Sequence, residues 1–282
     1  MGVRMTMSLK DQIIGMAGCG NMGLPMAKQL QKSGLEVFGF DVRPLAEFGD
    51  FQNSMIEDPN EFADRVDIVF SVVRDWQQTQ DLLFDVQAIF KHPNHPKTLA
   101  ISSTLSPRVL DEIQSRLPDD VMLIDTPMSG TGFRAIDGSL TFMVGGPENV
   151  VEHLMPAFNA MGNKVHRLGP VGAGLKCKVV NNFVAAAGIV AVRHALASAD
   201  ALGVERETIL EVMRTSSGST WYGDNFDSID WSNQAYAPNN TMGIVKKDVA
   251  AYLDAVDGME TKPASDFEQA VHTHLGLIKA LN

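Results

Sequence analysis

The chain is poor in cysteine, in surplus positive charge and in uninterrupted apolar runs, and each shortage excludes a class of protein. Two cysteines among 282 residues, Cys19 and Cys177, have no metal-ligand spacing and cannot build a disulfide framework. Both are expected as free thiols of a reducing, cytoplasmic compartment. Lys and Arg total 23 against 34 Asp and Glu, a formal charge of -11. A nucleic-acid backbone or an anionic membrane surface needs the opposite balance, so no nucleic acid is expected as a partner. The most apolar stretch, residues 183–202, is interrupted by Arg193, His194, Ser198 and Asp200; it reads as a buried amphipathic helix, and no membrane is expected. His92 and His95 sit in a proline-broken turn with no third ligand nearby, and no metal is expected. Residues 1–11 lack the apolar core of a signal peptide and read as a disordered lead-in.

What is there is an ordinary globular composition, 45% hydrophobic and 20% charged, with length for two domains. The first reads as alternating strand and helix. Residues 12–17 form a short apolar strand feeding Gly18-Cys19-Gly20-Asn21-Met22-Gly23, a GxGxxG turn in its proper setting. Gly18 makes the tight turn, Gly20 admits a pyrophosphate, Gly23 lets helix and strand pack closely, and the helix N-terminus supplies positive potential. The helix, with Pro25 in its first turn, runs to Ser33-Gly34. Residues 36–40 form the second strand, ending in Asp41, which can accept bonds from the adenosine ribose hydroxyls and repel a 2'-phosphate; this favours NAD. Arg43 leaves NADP open, since a guanidinium there can pair with that phosphate.

Helices over residues 59–65, 76–90 and 148–161, another carrying Pro107, and strands over 66–73, 97–102, 121–125, 140–144 and 164–168 complete the sheet. The strand ends at Val73 and at Ser103-Thr104 then fall where open α/β sheets hold ligands. Residues 126–132, Thr-Pro-Met-Ser-Gly-Thr-Gly, form either a nest of free N–H groups suited to a carboxylate or an ordinary glycine turn.

Past Gly174 the period becomes helical, with helices over residues 175–202, 205–215, 242–256 and 264–280. The expected fold is an N-terminal Rossmann-like α/β domain over residues 1–172 and an all-α domain over 173–282, joined by a long helix. On that helix Lys178 and Asn182 stand four residues apart on one face, although a lysine chosen at random is a solvated one. By the same standard Trp221 reads as core and Lys247 as surface. An exposed apolar face on the long helix would favour a homodimer or homotetramer.

Four blocks together resemble the β-hydroxyacid dehydrogenase family, most closely its branch of 3-hydroxyisobutyrate dehydrogenases and tartronate semialdehyde reductases. They are residues 18–23 with Asp41, residues 125–130 running on to 140–146, residues 172–182, and Lys247-Asp248. The resemblance covers nearly all of residues 12–280. It implies Lys178 as the catalytic lysine, Asn182 as the asparagine that orients the substrate, and Ser129 and Gly130 in the substrate-binding loop. It also implies cofactor contacts from Thr104 and Lys247, and it makes Trp221 a pocket wall. Thr131 stands where the family loop usually has a second glycine, so a side chain enters the nest.

The implied reaction is hydride transfer between a nicotinamide and the hydroxyl-bearing carbon of a small 3-hydroxy acid, with Lys178 moving the proton. Two rivals stand beside it: an imine reductase-like NADPH enzyme, whose proton donor is typically not this lysine, and a non-catalytic nucleotide-binding protein on the same fold. 6-Phosphogluconate dehydrogenase, with a larger helical domain and a Lys-x-x-His-Asn pattern, is set aside because residues 178–182 read Lys-Val-Val-Asn-Asn.

Overall fold

A computed structural model describes residues 8–260 and 265–281. The chain divides into two compact units, Met1–Lys178 and Val179–Asn282.

In the first unit, short apolar runs form β1 (Ile13–Ala17), β2 (Glu36–Phe40), β3 (Ile68–Ser71), β4 (Thr98–Ile101) and β5 (Met122–Asp125). They pair in parallel in the order β2-β1-β3-β4-β5. Beyond them lie β6 (Met128–Ser129), β7 (Leu140–Gly145) and β8 (Gly162–Gly169); β7 runs antiparallel to β5 and β6, and β8 pairs in parallel with β7. Between the strands run α1 (Gly23–Lys32), α2 (Pro59–Arg65), α3 (Trp76–Gln80), α4 (Val109–Arg116), α5 (Gly132–Ile136) and α6 (Glu148–Met161).

Strand side chains alternate between two apolar layers. Ile68 and Phe70 join Met26, Leu30 and Phe158 in one, while Val69 joins Phe62, Leu83 and Ile113 in the other. A sheet buried on both faces explains why these strands read as apolar runs in the sequence. The register sets Phe40, Ala17, Ser71, Ile101 and Asp125 abreast, so every loop following these strands leaves from one edge. The chain passes from β1 outward to β2 and then back across to β3, which makes this edge above β1 and β3 the topological switch point.

Three expectations are corrected. The helix expected over residues 76–90 stops as an α-helix at Gln80 and continues as a π-helical turn, Asp81–Asp85. Leu82, Leu83 and Phe84 are all buried, which a narrower helix presents less readily, and the Asp81 carbonyl then accepts from the amides of Val86, Gln87 and Ala88 and closes the turn. The lead-in expected at residues 1–11 lies outside the described residues as far as 7. From Ser8 onward the chain is ordered: the Ser8 hydroxyl accepts from the Lys10 amide in a 3-10 turn that buries Leu9 in the core. The last helix ends at Leu275 and not at residue 280, where Gly276 turns its amide to the Thr273 carbonyl; its expected first residue, 264, lies outside the described residues.

α7 (Ala173–Ala201) begins in the first unit and runs on through the second. Among the described residues it is the one helix long and apolar enough to cross a membrane by length and composition; 33% of its apolar window is buried, and part of its apolar residues have core partners. Leu175 lies in the core of the first unit, and Ile189, Val192 and Leu196 lie in that of the second. The second unit adds α8 (Arg206–Thr215), α9 (Trp221–Asp224), α10 (Thr241–Val256) and α11 (Ser265–Leu275). Buried Arg193 organises its irregular segments by donating to the carbonyls of Ser232 at 2.6 Å, Gln234 at 3.1 Å and Lys279.

Candidate active site

The glycine turn between β1 and α1 divides its glycines by need. Gly18 has φ +92°, and a methyl there would lie 2.8 Å from the Val72 backbone; one on Gly23 would lie 2.0 Å from the Gly18 carbonyl oxygen. A methyl on Gly20 would meet no protein atom within 4 Å. Gly18 and Gly23 therefore serve the turn and the packing, whereas Gly20 serves only what approaches from outside. No side chain caps the N-terminus of α1, and the turn leading into it lies on the same approach as Gly20, which suits a pyrophosphate. Asn21 is exposed there and Met22 half-buried.

Asp41, just past β2, is tied into this turn. Its Oδ2 accepts from the Cys19 amide at 2.8 Å and from Arg43 Nη2 at 3.1 Å, and its Oδ1 accepts from Arg43 Nε at 3.0 Å. Arg43 also donates to the Cys19 carbonyl at 2.9 Å and to Glu47 at 3.2 Å, and it stacks over Phe48. The hydrogen bonds that the guanidinium donates to Asp41 hold its pKa above its ordinary value. Both cysteines are free thiols. Burial, helped by the charge of Asp41, pushes the Cys19 thiol up to about 12, so it is a packing residue and not a thiolate.

The other loops of this edge are cross-braced. Ser103 Oγ donates to the Val73 carbonyl at 2.6 Å, Ser102 and Thr126 share a hydroxyl bond of 2.8 Å, and Thr104 follows half-buried. In the next loop, β6 ties Ser129 to Thr141 of β7, so the backbone is partly committed to a ladder and the loop is more than a free nest. Gly130 takes φ +136°, where a methyl would come 2.8 Å from Leu140. Thr131 takes φ -95°, so its side chain replaces a glycine without backbone strain; its hydroxyl oxygen is buried with no hydrogen-bond partner. Gly132 brings the loop beside the glycine turn, close to the Asn21 carbonyl.

At the end of β5, Asp125 is fully buried, and its two oxygens accept from the amides of Gly172 at 2.7 Å and Leu175 at 2.6 Å, where α7 begins. Burial pushes its pKa up against the pull of those amides. One turn further on, Lys178 is 6% exposed, unlike the solvated lysine that a random choice would give.

The remaining candidates belong to the second unit. Asn182 Nδ2 donates to Asp248 Oδ2 at 2.6 Å, and Lys247 Nζ lies 2.8 Å from Asp248 Oδ1. Lys247, expected on the surface, has a side chain only 25% exposed. Trp221, expected in the core, is 50% exposed: Thr220 caps the helix that starts there, and it is Tyr222 that turns inward. Thus Gly18, Gly20, Asn21, Met22, Gly23, Asp41, Val73, Thr104, Ser129, Gly130, Thr131 and Lys178 share the first unit, and Asn182, Trp221 and Lys247 the second. Sequence reasoning missed the roles of Asp125 and Asp248, although both stand inside the blocks that carry the resemblance.

Residues 13–169 match the family described as the NAD binding domain of 6-phosphogluconate dehydrogenase, and residues 172–271 that described as NAD-binding of NADP-dependent 3-hydroxyisobutyrate dehydrogenase. The chain is 31% identical to L-threonate dehydrogenase of Cupriavidus necator over 86% of its own length and 82% of that protein's. It is 34% identical to NAD-dependent L-serine dehydrogenase of Pseudomonas aeruginosa over 74% and 71%. The crystal structure of 3-hydroxyisobutyrate dehydrogenase from Salmonella typhimurium has the same fold, with a TM-score of 0.80 at 24% identity, covering 94% of this chain and 93% of that one.

Proposed function

The chain belongs to the β-hydroxyacid dehydrogenase family, and on that premise we propose that it oxidises a small 3-hydroxy acid of the 3-hydroxyisobutyrate kind, reversibly, with NAD as cofactor and Lys178 as general acid/base. The observation that carries this reading is a buried amine: Lys178 lies within α7 one turn before Asn182, whose amide is held by Asp248.

When bound, the nicotinamide supplies the hydride acceptor. Gly20, in the turn that Gly18 and Gly23 shape, would admit the pyrophosphate beside the amides of Asn21 and Met22, and Asp41 would receive the ribose hydroxyls. Val73, Thr104 and Lys247 are the further cofactor contacts. The carboxylate of the substrate is taken by Ser129, Gly130 and Thr131, with Trp221 as a wall. During oxidation the substrate hydroxyl gives its proton to Lys178 Nζ as the carbon loses its hydride, leaving a carbonyl; Asn182 orients the hydroxyl. Asp41 supports NAD over NADP, because a 2'-phosphate would meet this carboxylate while Arg43 is already engaged by Asp41, Glu47 and the Cys19 carbonyl. A cytoplasmic homodimer or homotetramer, without membrane or nucleic-acid partners, is part of the proposal; Val180 and Val184, 53% and 66% exposed on α7, support a second copy.

The test is nicotinamide absorbance against a panel of 3-hydroxy acids and their semialdehydes, with NAD and NADP in parallel. Turnover that drops about 10²- to 10⁴-fold in Lys178→Ala is the expected result. Turnover that survives this substitution, or cofactor binding without turnover on any panel member, defeats the reading.

A further inference from the structure

We propose that Asp125 is a positioning residue: its buried carboxylate grips the first turn of α7 from the end of β5 and so fixes where Lys178 presents its amine, an inference that rests on the role proposed for Lys178. The first amides of any helix lack partners within the helix and are ordinarily met by a side chain just before it. Here the residue before α7 is Gly172, which has no side chain to offer. The acceptor comes instead from 47 and 50 residues away along the chain, where each Asp125 oxygen receives one amide of the helix start.

The surroundings are shaped to that carboxylate. A methyl on Gly145 of β7 would lie 2.4 Å from Asp125 Oδ1, and one on Gly174 would lie 2.8 Å from Oδ2. Gly145 thus leaves room for the carboxylate, and Gly174 leaves room both for it and for the Met143 carbonyl oxygen, which a methyl there would approach to 2.3 Å. With a donor aimed at each oxygen, the ionised group satisfies both amides, and a helix N-terminus favours that charge. Leu175 is three residues before Lys178. Because each residue turns a helix by roughly 100°, a slipped or frayed first turn would swing the amine to another side. β3 and β4 stand between β5, which ends in Asp125, and β1, which leads into the glycine turn, so pyrophosphate binding does not depend on Asp125 directly.

Asp125→Asn keeps the size of the side chain but puts a donor where one amide needs an acceptor. The expected result is NAD binding, read by fluorescence titration, and KM for the hydroxy acid both within a few-fold of wild type, with kcat lower by about 10²-fold, the scale of a small misplacement of a reacting group. Hydrogen exchange should find the amides of Gly172 and Leu175 protected in the wild type and released in the variant. Should the variant not fold, exchange in the wild-type protein decides: free exchange at both amides overturns the clamp, and protection supports it. A folded Asp125→Asn enzyme with wild-type kcat overturns the proposal on its own, as does a loss of NAD affinity that parallels the loss of kcat. Normal turnover by Lys178→Ala overturns it through its premise, and is told apart because exchange at Leu175 is then unchanged.

Discussion

The side-chain amide of Asn182 donates to Asp248 Oδ2 across 2.6 Å, and the other oxygen of that carboxylate lies 2.8 Å from Lys247 Nζ. Asp248 is buried on α10, so the helix carries one acidic centre that orients an amide from α7 and neutralises the lysine beside it. Replacing it leaves two polar groups without their charged partner. Asp248→Ala is expected to destabilise the protein by about 1.5–3 kcal/mol, the range for hydrogen bonds to charged groups, measured by urea unfolding. It should lower kcat as well, because, among the described residues, Asn182 is then held only by the bond its side-chain oxygen accepts from Asn181. A variant with wild-type stability would mean that the carboxylate is dispensable.

The glycine turn makes a sharper contrast. Gly20→Ala adds a methyl that meets no protein atom within 4 Å, so its unfolding midpoint should stay close to wild type while its affinity for NAD falls at least tenfold. Gly23→Ala drives a methyl to 2.0 Å from the Gly18 carbonyl oxygen, and the backbone must move to relieve it. That variant should lose about 1–3 kcal/mol of stability, the range for overpacking, and its cofactor affinity should fall as a consequence. Unfolding curves paired with NAD titrations separate the two glycines; equal effects on both readouts would contradict the division.

How far these features could be read from sequence depends on how local their causes are. The limits of β2, α2 and α6 coincide with the sequence reading because a glycine, a capping aspartate or a proline punctuates each. The segment after Trp76 was misread because three successive buried residues, Leu82, Leu83 and Phe84, are compatible with a helix until the packing on both sides is known. Asp41 and Arg43 were legible as residue types, but their bond to each other was not. Asp125 and Asp248 were harder still: the amides that Asp125 holds lie at least 47 residues away and the Asn182 amide that Asp248 holds lies 66 away, and nothing in the spacing names them. The burial of Lys178 likewise comes from tertiary packing, which is why composition alone pointed to a solvated lysine.

The Asp41–Arg43 pair predicts how cofactor choice can be moved. Asp41→Ala removes the acceptor proposed for the ribose hydroxyls and the charge proposed to oppose a 2'-phosphate, and it releases Arg43 from its bonds to that carboxylate while Glu47 and the Cys19 carbonyl still hold it. The ratio of kcat/KM for NAD to that for NADP should fall about 10- to 100-fold, the equivalent of one hydrogen bond to a charged group. Asp41→Ala/Arg43→Ala should lose NAD efficiency without gaining NADP efficiency, since no guanidinium remains. Steady-state rates with both cofactors decide, and an unchanged ratio in the single variant would remove Asp41 from cofactor selection.

Two histidines contribute to the acid side of the stability curve. Burial lowers the pKa of His153 on α6 below its ordinary 6.5, and burial with the charge of Lys246 does the same for His272 on α11. In the unfolded chain both take up protons near 6.5, while the folded protein resists them until lower pH. The unfolded state therefore binds more protons in that window, and stability falls as pH drops. Above the ordinary value the contribution is complete; below the folded values it is gone. Asp125 acts in the opposite sense at more acidic pH, because its raised pKa lets the folded state take up a proton first. Urea midpoints should thus decline between about pH 7.5 and 5.5, and the decline should be shallower in His153→Asn/His272→Asn. A double variant with an undiminished slope would assign the acid sensitivity to other groups.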